Sequence, residues 1–409
     1  MLPESDTSAT SQLSGADAGG DAGGCGVRPG RDIPRELLEY RAPVGPPDRA
    51  AFRPYQYGSA PWVVGRVETA AGPVPLACTA LTAADRLGAW RVRWNIRRSH
   101  YRVAPGLYAV GAPDAASPVL ATANYKLTFD ALRRELTGLD AWILVLDTYG
   151  VNVWCAAGKG TFCTAELARR ALAVRLADVV SHRRIIVPQL GAPGVAGHQL
   201  RRACGFSVTF GPVRAKDLPV FLAAGSATPE MRRVLFPLHD RAVLIPVELS
   251  LAWRWKLLVG VAVAAFLLGI GGGHPFSPAA YGLRVAMVYG AVVVSLLGGA
   301  VVLPLALPWL PWRAFAAKGA LVGGVLAAAG VAAFRTTLPS LVLAALFLAV
   351  TAGTSHVAMN FTGSTTFTSP SGVEKEMRAW LPWQIGGAGL AVVLLLVQGV
   401  LRIMGRSTW

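Results

Sequence analysis

Acidic residues are scarce and cysteines scarcer: the 409 residues hold 23 Asp and Glu against 39 Lys and Arg, with five cysteines in all. Five cysteines without short repeated spacings cannot staple a secreted module, and they lack the clustering of iron-sulfur or structural zinc sites. Charged residues reach only 15% and hydrophobic residues 53%, which excludes a wholly disordered chain and an ordinary soluble one. Residues 1–30 lack the apolar stretch that a secretory signal needs, so the polar part is expected to stay in the cytoplasm with its thiols reduced. The net charge of +16 invites a nucleic-acid reading, but residues 251–409 carry 10 basic and two acidic residues, the excess that membrane proteins place on loops for topological reasons. No nucleic-acid partner is expected.

Along the chain, residues 1–30 with the run GADAGGDAGG read as a disordered polar tail, because too little apolar surface is present to offset conformational entropy. Residues 31–250 are expected to form an α/β domain, with strands at 117–124, 141–147, 183–189, 206–212 and 243–249. Helical patterns lie between them at 127–136, 163–181, 195–203 and 215–224. Such alternation implies crossover units, a mostly parallel sheet and a ligand at the carboxyl ends of the strands.

Residues 251–409 are expected to form a five-helix transmembrane domain, with apolar spans at 257–273, 283–307, 315–334, 338–360 and 383–403. Most are near the ~20 residues needed to cross a hydrocarbon core. Trp253, Arg254, Trp255 and Lys256 form an interfacial anchor before the first. A cytoplasmic N-terminal domain places Arg254, Lys256, Arg313, Lys318, Lys375 and Arg378 inside, against Arg284, Arg335, Arg402 and Arg406 outside. That balance favours a multi-pass protein of the cytoplasmic (inner) membrane, in contact with its lipid.

The chemistry concentrates after the apolar strand at 141–147. Gly158-Lys159 suggests a phosphate loop, but that loop needs Gly five residues earlier and Ser or Thr after the Lys, where this chain has Val153 and Gly160. What remains is a short helix that Asn152 can cap, with Cys155 in its first turn, where helix amides favour a thiolate, and Lys159 one turn later. A thiol so placed suits a soft metal centre or covalent chemistry; a small core residue is the competing reading. The other cysteines, Cys25, Cys78, Cys163 and Cys204, read as structural, and His182, His198 and His239 as surface or helix-end residues. Arg91, Arg93, Arg97, Arg98 and Arg102 read as a solvated face, with a ligand phosphate or an acidic partner protein as the functional alternative for that cluster.

The run Asn152-Val-Trp-Cys-Ala-Ala-Gly-Lys159 is similar to the cap-helix signature of the mercury-methylating corrinoid proteins, the HgcA family. The resemblance extends through Thr122-Ala-Asn-Tyr-Lys-Leu-Thr128, Pro188-Gln-Leu-Gly-Ala-Pro-Gly194 and 205–214, and the segment 360–372 resembles part of the related corrinoid iron-sulfur protein large subunit of acetyl-CoA synthesis. It implies a Rossmann-like corrinoid-binding domain holding cobalamin or a related corrinoid, with Cys155 as the catalytic residue and lower axial cobalt ligand. A thiolate donates more electron density than imidazole or water, which would ease methyl transfer as a carbanion equivalent or a radical to thiolate-bound Hg(II).

Further corrinoid contacts are expected from Thr122 and Thr128, whose hydroxyls can equally cap the following helix, and from Asn152, Val153, Trp154, Ala156, Ala157, Gly158 and Lys159 of the cap helix. Gln189, Gly191 and Gly211 end strands, where small residues let a planar ligand approach. No iron-sulfur cluster is expected in this chain, so the resemblance implies the ferredoxin-like protein HgcB as reductant and methyltetrahydrofolate or a methyl carrier as donor. Two other readings stay open: a corrinoid methyl carrier of one-carbon or acetyl-CoA metabolism with mercury as a side acceptor, and a transporter with a regulatory domain.

Overall fold

The computed structural model describes residues 60–252, 260, 278–361 and 370–404. The expected tail, the anchor at 253–256, the first span at 257–273 apart from residue 260, and the segment 362–369 lie outside the described residues.

Strands β1 (Val63–Thr69) and β2 (Gly72–Ala77) form a hairpin closed by the Thr69 hydroxyl, which donates to Gly72 O at 2.6 Å. Gly72 has φ 108, a conformation open to glycine. Helix α1 (Ala83–Arg93) follows, started by a reciprocal capping box between Thr82 and Asp85. The remaining strands are β3 (Gly106–Val110), β4 (Val119–Ala123), β5 (Ala141–Leu146), β6 (Arg184–Val187) and β7 (Ser207–Phe210). They complete a seven-stranded sheet of order β1-β2-β3-β5-β4-β6-β7. The β1–β2 and β3–β5 pairs are antiparallel and the other four are parallel.

Every residue of β4 and β5 is buried, as strands covered on both faces should be. Alternate side chains divide between two cores: Val119, Ala121, Trp142 and Leu144 face one, and Leu120, Ile143 and Val145 the other. Helices α2 (Lys126–Glu135) and α7 (Leu218–Ala224) contribute Phe129, Leu132, Leu218 and Phe221 to the second. On the first face lie α3 (Val153–Gly158), α4 (Thr164–Ala173), α5 (Leu176–Val179) and α6 (Gly197–Cys204).

Two expected elements differ. The helix at 163–181 is broken where Arg175 adopts φ 50, between α4 and α5. The strand at 243–249 is absent: α8 (Leu238–Ala242) and α9 (Ile245–Ala252) occupy this region. Its β-branched composition suggested a strand, but Pro246 cannot donate to a ladder and is tolerated in a first helical turn. Strands β1 to β3 and α1 had no counterpart in the sequence reading.

Four described helices are long and apolar enough to cross a membrane, with candidate spans Val285–Trp309, Phe315–Phe334, Ser340–Phe361 and Gly372–Arg402. Their helices are α10 (Pro278–Leu297), continued by a π-helical stretch Gly298–Val302 and α11 (Leu303–Ala306), then α12 (Phe315–Phe334), α13 (Ser340–Phe361) and α14 (Pro370–Ile403). Close approach requires small residues: a Cβ on Gly319 would lie 2.4 Å from Ala358 Cβ, and one on Gly323 2.7 Å from Thr354 Cβ. The bundle meets the region before α9 through Arg241, whose Nη1 donates to Pro304 O at 2.9 Å and Leu305 O at 2.8 Å. Leu244 and Phe236 pack there against Leu303, Phe315 and Phe361.

Candidate functional site

Two adjacent parallel strands, β4 and β5, deliver their carboxyl ends to one place. Asn124, fully buried after β4, donates through Nδ2 to Asp147 Oδ1 at 2.9 Å. Its Oδ1 accepts from Thr148 N at 3.1 Å, Thr148 Oγ1 at 2.9 Å and Gly150 N at 2.9 Å. The loop so held contains two left-handed residues, Tyr149 and Gly150, with φ 57 and 73. It then turns into α3.

Asn152 starts α3 as expected, its Oδ1 accepting the Cys155 N–H at 2.9 Å. Val153, Ala156 and Ala157 bury that helix against the core, leaving Trp154 and Cys155 half-buried between them and Gly158 and Lys159 exposed at its end. Burial raises the Cys155 thiol above its ordinary value; Lys159, the Asn152 side chain and Arg98 oppose this without overcoming it. The expected first-turn thiolate is therefore a neutral thiol in the unliganded protein, because desolvation outweighs the nearby charges. Proton release must accompany its use as a metal ligand.

Beside α3 lies a cavity of about 400 Å³. Six of the expected contact residues line it: Thr122, Thr128, Asn152, Val153, Trp154 and Gly211. Apolar side chains such as Leu120, Leu132, Ile186 and Leu190 make up much of the remaining wall. Cys155, Ala156, Ala157, Gly158, Lys159, Gln189 and Gly191 are outside the lining. Ala156 and Ala157 instead pin α3 to the core, and Gly191 makes room for Phe162, whose ring would lie 2.6 Å from a Cβ there. Gln189 follows β6 and its buried Oε1 has no hydrogen-bond partner.

Other residues line the wall beside the expected contacts. Tyr125 lines the cavity at 4% exposure, and its buried hydroxyl has no hydrogen-bond partner among the described residues. Arg93 and Arg98 belong to the arginine cluster read as a solvated face, with a ligand phosphate or an acidic partner as the alternative; both turn into the cavity, while Arg91 and Arg97 are exposed. Val243, Leu244 and Val247 reach it from the region mistaken for a strand. Only their place in the fold reveals these roles.

Cys78, Cys155 and Cys204 carry free thiols, but Cys163 is disulfide-bonded, against the expectation of reduced thiols throughout. That expectation weighed compartment and short spacings, neither of which excludes a disulfide. His198 and His239 are exposed, and His182 bonds to Ser117 O at 2.9 Å, consistent with supporting positions. Among the described residues no group of three or more His, Cys, Asp or Glu is placed to hold a metal ion.

The fold and site thus define an α/β protein with four described helices long and apolar enough to span a membrane and a cavity at the carboxyl ends of its strands, flanked by a short thiol-bearing helix. Residues 94–222, which include most of this site, match the family described as CO dehydrogenase/acetyl-CoA synthase delta subunit. The chain is 34% identical over 128 residues to the acetyl-CoA decarbonylase/synthase complex subunit gamma of Methanopyrus kandleri, covering 31% of this chain and 27% of that one. It is 38% identical over 97 residues to the subunit of that name in Methanocaldococcus jannaschii, 23% of this chain and 20% of the relative. Against the corrinoid/iron-sulfur protein large subunit of Moorella thermoacetica it is 33% identical over 129 residues, 31% and 28% of the two chains. The matches span about a quarter of the length of these relatives.

Proposed function

We propose that this chain is a membrane-associated corrinoid protein of methyl transfer, with its corrinoid held beside α3. The observation that carries the reading is the convergence of the matched segment, the cavity and the Asn152-capped Cys155 turn at one end of the sheet. The residues present suit a corrinoid. The cavity is mainly apolar, and its size lies in the range of organic-ligand pockets, so a large ring would be held by one face or edge. The buried Tyr125 hydroxyl on the cavity wall has no hydrogen-bond partner among the described residues, and a polar arm on such a ring could satisfy it. A cobalt already held by a macrocycle needs few protein ligands, so one cysteine suffices.

When bound, the corrinoid supplies a cobalt centre able to carry a methyl group. Cys155 would hold the cobalt through Sγ, with Asn152 orienting the turn and Lys159 and Arg98 favouring loss of the thiol proton. Thr122, Thr128, Trp154 and Gly211 are proposed as ring contacts. Two of the relatives are named as subunits of acetyl-CoA decarbonylase/synthase complexes and the third as a corrinoid/iron-sulfur protein subunit, which favours a methyl carrier of one-carbon or acetyl-CoA metabolism, working with protein partners that reduce the cofactor and supply the methyl group. The run Asn152 to Lys159 favours a second reading, methyl transfer to Hg(II) with HgcB as reductant. The domain at 31–250 is then assigned to the cytoplasm and the spans to the inner membrane.

Full-length protein titrated with cobalamin should develop the absorption spectrum of sulfur-ligated cobalt, and Cys155→Ala should lose it. No binding by folded protein would reject the corrinoid reading; nitrogen or oxygen as the lower ligand would reject the role of Cys155. Gene deletion separates the acceptors: loss of growth on one-carbon substrates supports the carrier, and loss of methylmercury formation alone supports mercury methylation.

A further inference from the structure

Among the described residues, neither Arg93 nor Arg98 is ion-paired, although both line the cavity. Arg93 is the last residue of α1, and Arg98 opens the 3-10 turn before β3. The Arg98 guanidinium lies 5.7 Å from the centre of the Tyr125 ring. Tyr125, 4% exposed, also lines this wall and has a buried, unpartnered hydroxyl. Partial burial depresses the Arg93 guanidinium below its ordinary value without removing its charge at neutral pH. Three hydrogen-bond donors, two of them cationic, therefore border a largely apolar cavity. Their complement is an oxyanion attached to a large apolar body, because guanidinium forks match the paired oxygens of phosphate.

We propose that Arg93, Arg98 and Tyr125 form an anion subsite that holds a phosphodiester on a side arm of the cavity's ligand. The proposal rests on the corrinoid reading above, and the arm is then the one joining the ring to its nucleotide. Such a subsite would anchor the arm while Cys155 takes the position at cobalt that the nucleotide base vacates.

Full-length protein is titrated with cobalamin and with cobinamide, which has the same ring but lacks the phosphate-bearing nucleotide arm. The quantity read is the ratio of cobinamide Kd to cobalamin Kd in wild type and in Arg93→Gln/Arg98→Gln, because displacement of the base adds a term common to both proteins. The expected result is a fall in that ratio of at least about tenfold in the double variant, the scale of lost charge-assisted hydrogen bonds. Loss of the Arg98 charge beside Cys155 weakens both ligands alike and cancels in the ratio, and saturable cobinamide binding by the variant shows that it is folded. Tyr125→Phe should shift the ratio in the same direction by less. Inorganic phosphate should compete with the wild-type cobalamin complex and spare the cobinamide complex. An unchanged ratio with both ligands bound overturns the subsite while leaving the corrinoid reading intact; phosphate competing equally with both ligands overturns the side arm as the anion's source. Failure of both ligands to bind folded wild-type protein removes the corrinoid reading itself.

Discussion

Asn124 and Asp147 join the ends of neighbouring strands through a hydrogen bond of 2.9 Å from Nδ2 to Oδ1. The same Asn124 side chain accepts from three donors of the following loop, so it sets the height at which α3 leaves the sheet. Asn124→Ala would strand the Thr148 and Gly150 amides, and a loss of about 2–4 kcal/mol is expected for a buried network of this kind. Denaturant unfolding of the detergent-solubilised chain measures it. A change under about 0.5 kcal/mol, no larger than an ordinary surface substitution gives, would show that the network is dispensable.

Asn152→Ala removes only a helix cap. The expected loss is about 1 kcal/mol, with Asn152→Ser recovering most of it. Because the lost bond goes to the Cys155 amide, the alkylation rate of Cys155 should change in the Ala variant and return toward wild type in Ser. Identical rates in all three proteins would contradict an orienting role.

Corrinoid affinity should depend on pH through Cys155. Its thiol is held above the ordinary value and is neutral at pH 7, so ligation as thiolate releases a proton. Binding should tighten by about tenfold per pH unit as pH rises, then level off above the thiol's own pKa. Lys159→Ala removes a charge that favours the thiolate and should move the plateau to higher pH with a milder loss of affinity than Cys155→Ala. The slope should vanish in Cys155→Ala; a pH-independent wild type would argue that the sulfur stays off the metal.

A closed set of charges supports α2 from below the site. Lys126 and Arg133 each bridge Asp85 and Asp130, at 2.6 and 2.7 Å for the lysine and 2.9 and 2.8 Å for the arginine. Burial would raise the Asp85 carboxyl, but Lys126 and the Thr82 cap hold it well below the usual carboxylate range. A depressed carboxylate stabilises the fold above its unfolded value of about 4, and that contribution fades as pH falls below it. Arg133→Met should lower stability at pH 7 by about 3–5 kcal/mol, since it leaves buried carboxylates short of a partner. Part of this difference should disappear in acid, and equal losses at pH 7 and pH 3 would refute the electrostatic account.

The α/β pattern, the apolar spans and the capped turn at Asn152 were legible because each is a local property: periodicity, run length, or a side chain three residues from the amide it accepts. The strand expected at 243–249 failed because burial against Leu303 and Phe361, distant in sequence, favours helical packing there. Six expected contact residues meet at one cavity, because strand ends that pair in register carry their loops to the same edge.

What the sequence determined by itself was the class of layers, the long apolar helices of the C-terminal part and the turn that bears Cys155, all set by forces acting over a few residues. Tertiary structure decided that burial keeps the thiol protonated, that Arg93 and Arg98 leave the solvated face, and that Val243, Leu244 and Val247 help wall the cavity. Desolvation and cavity shape depend on groups brought together from across the chain, and no local spacing encodes them.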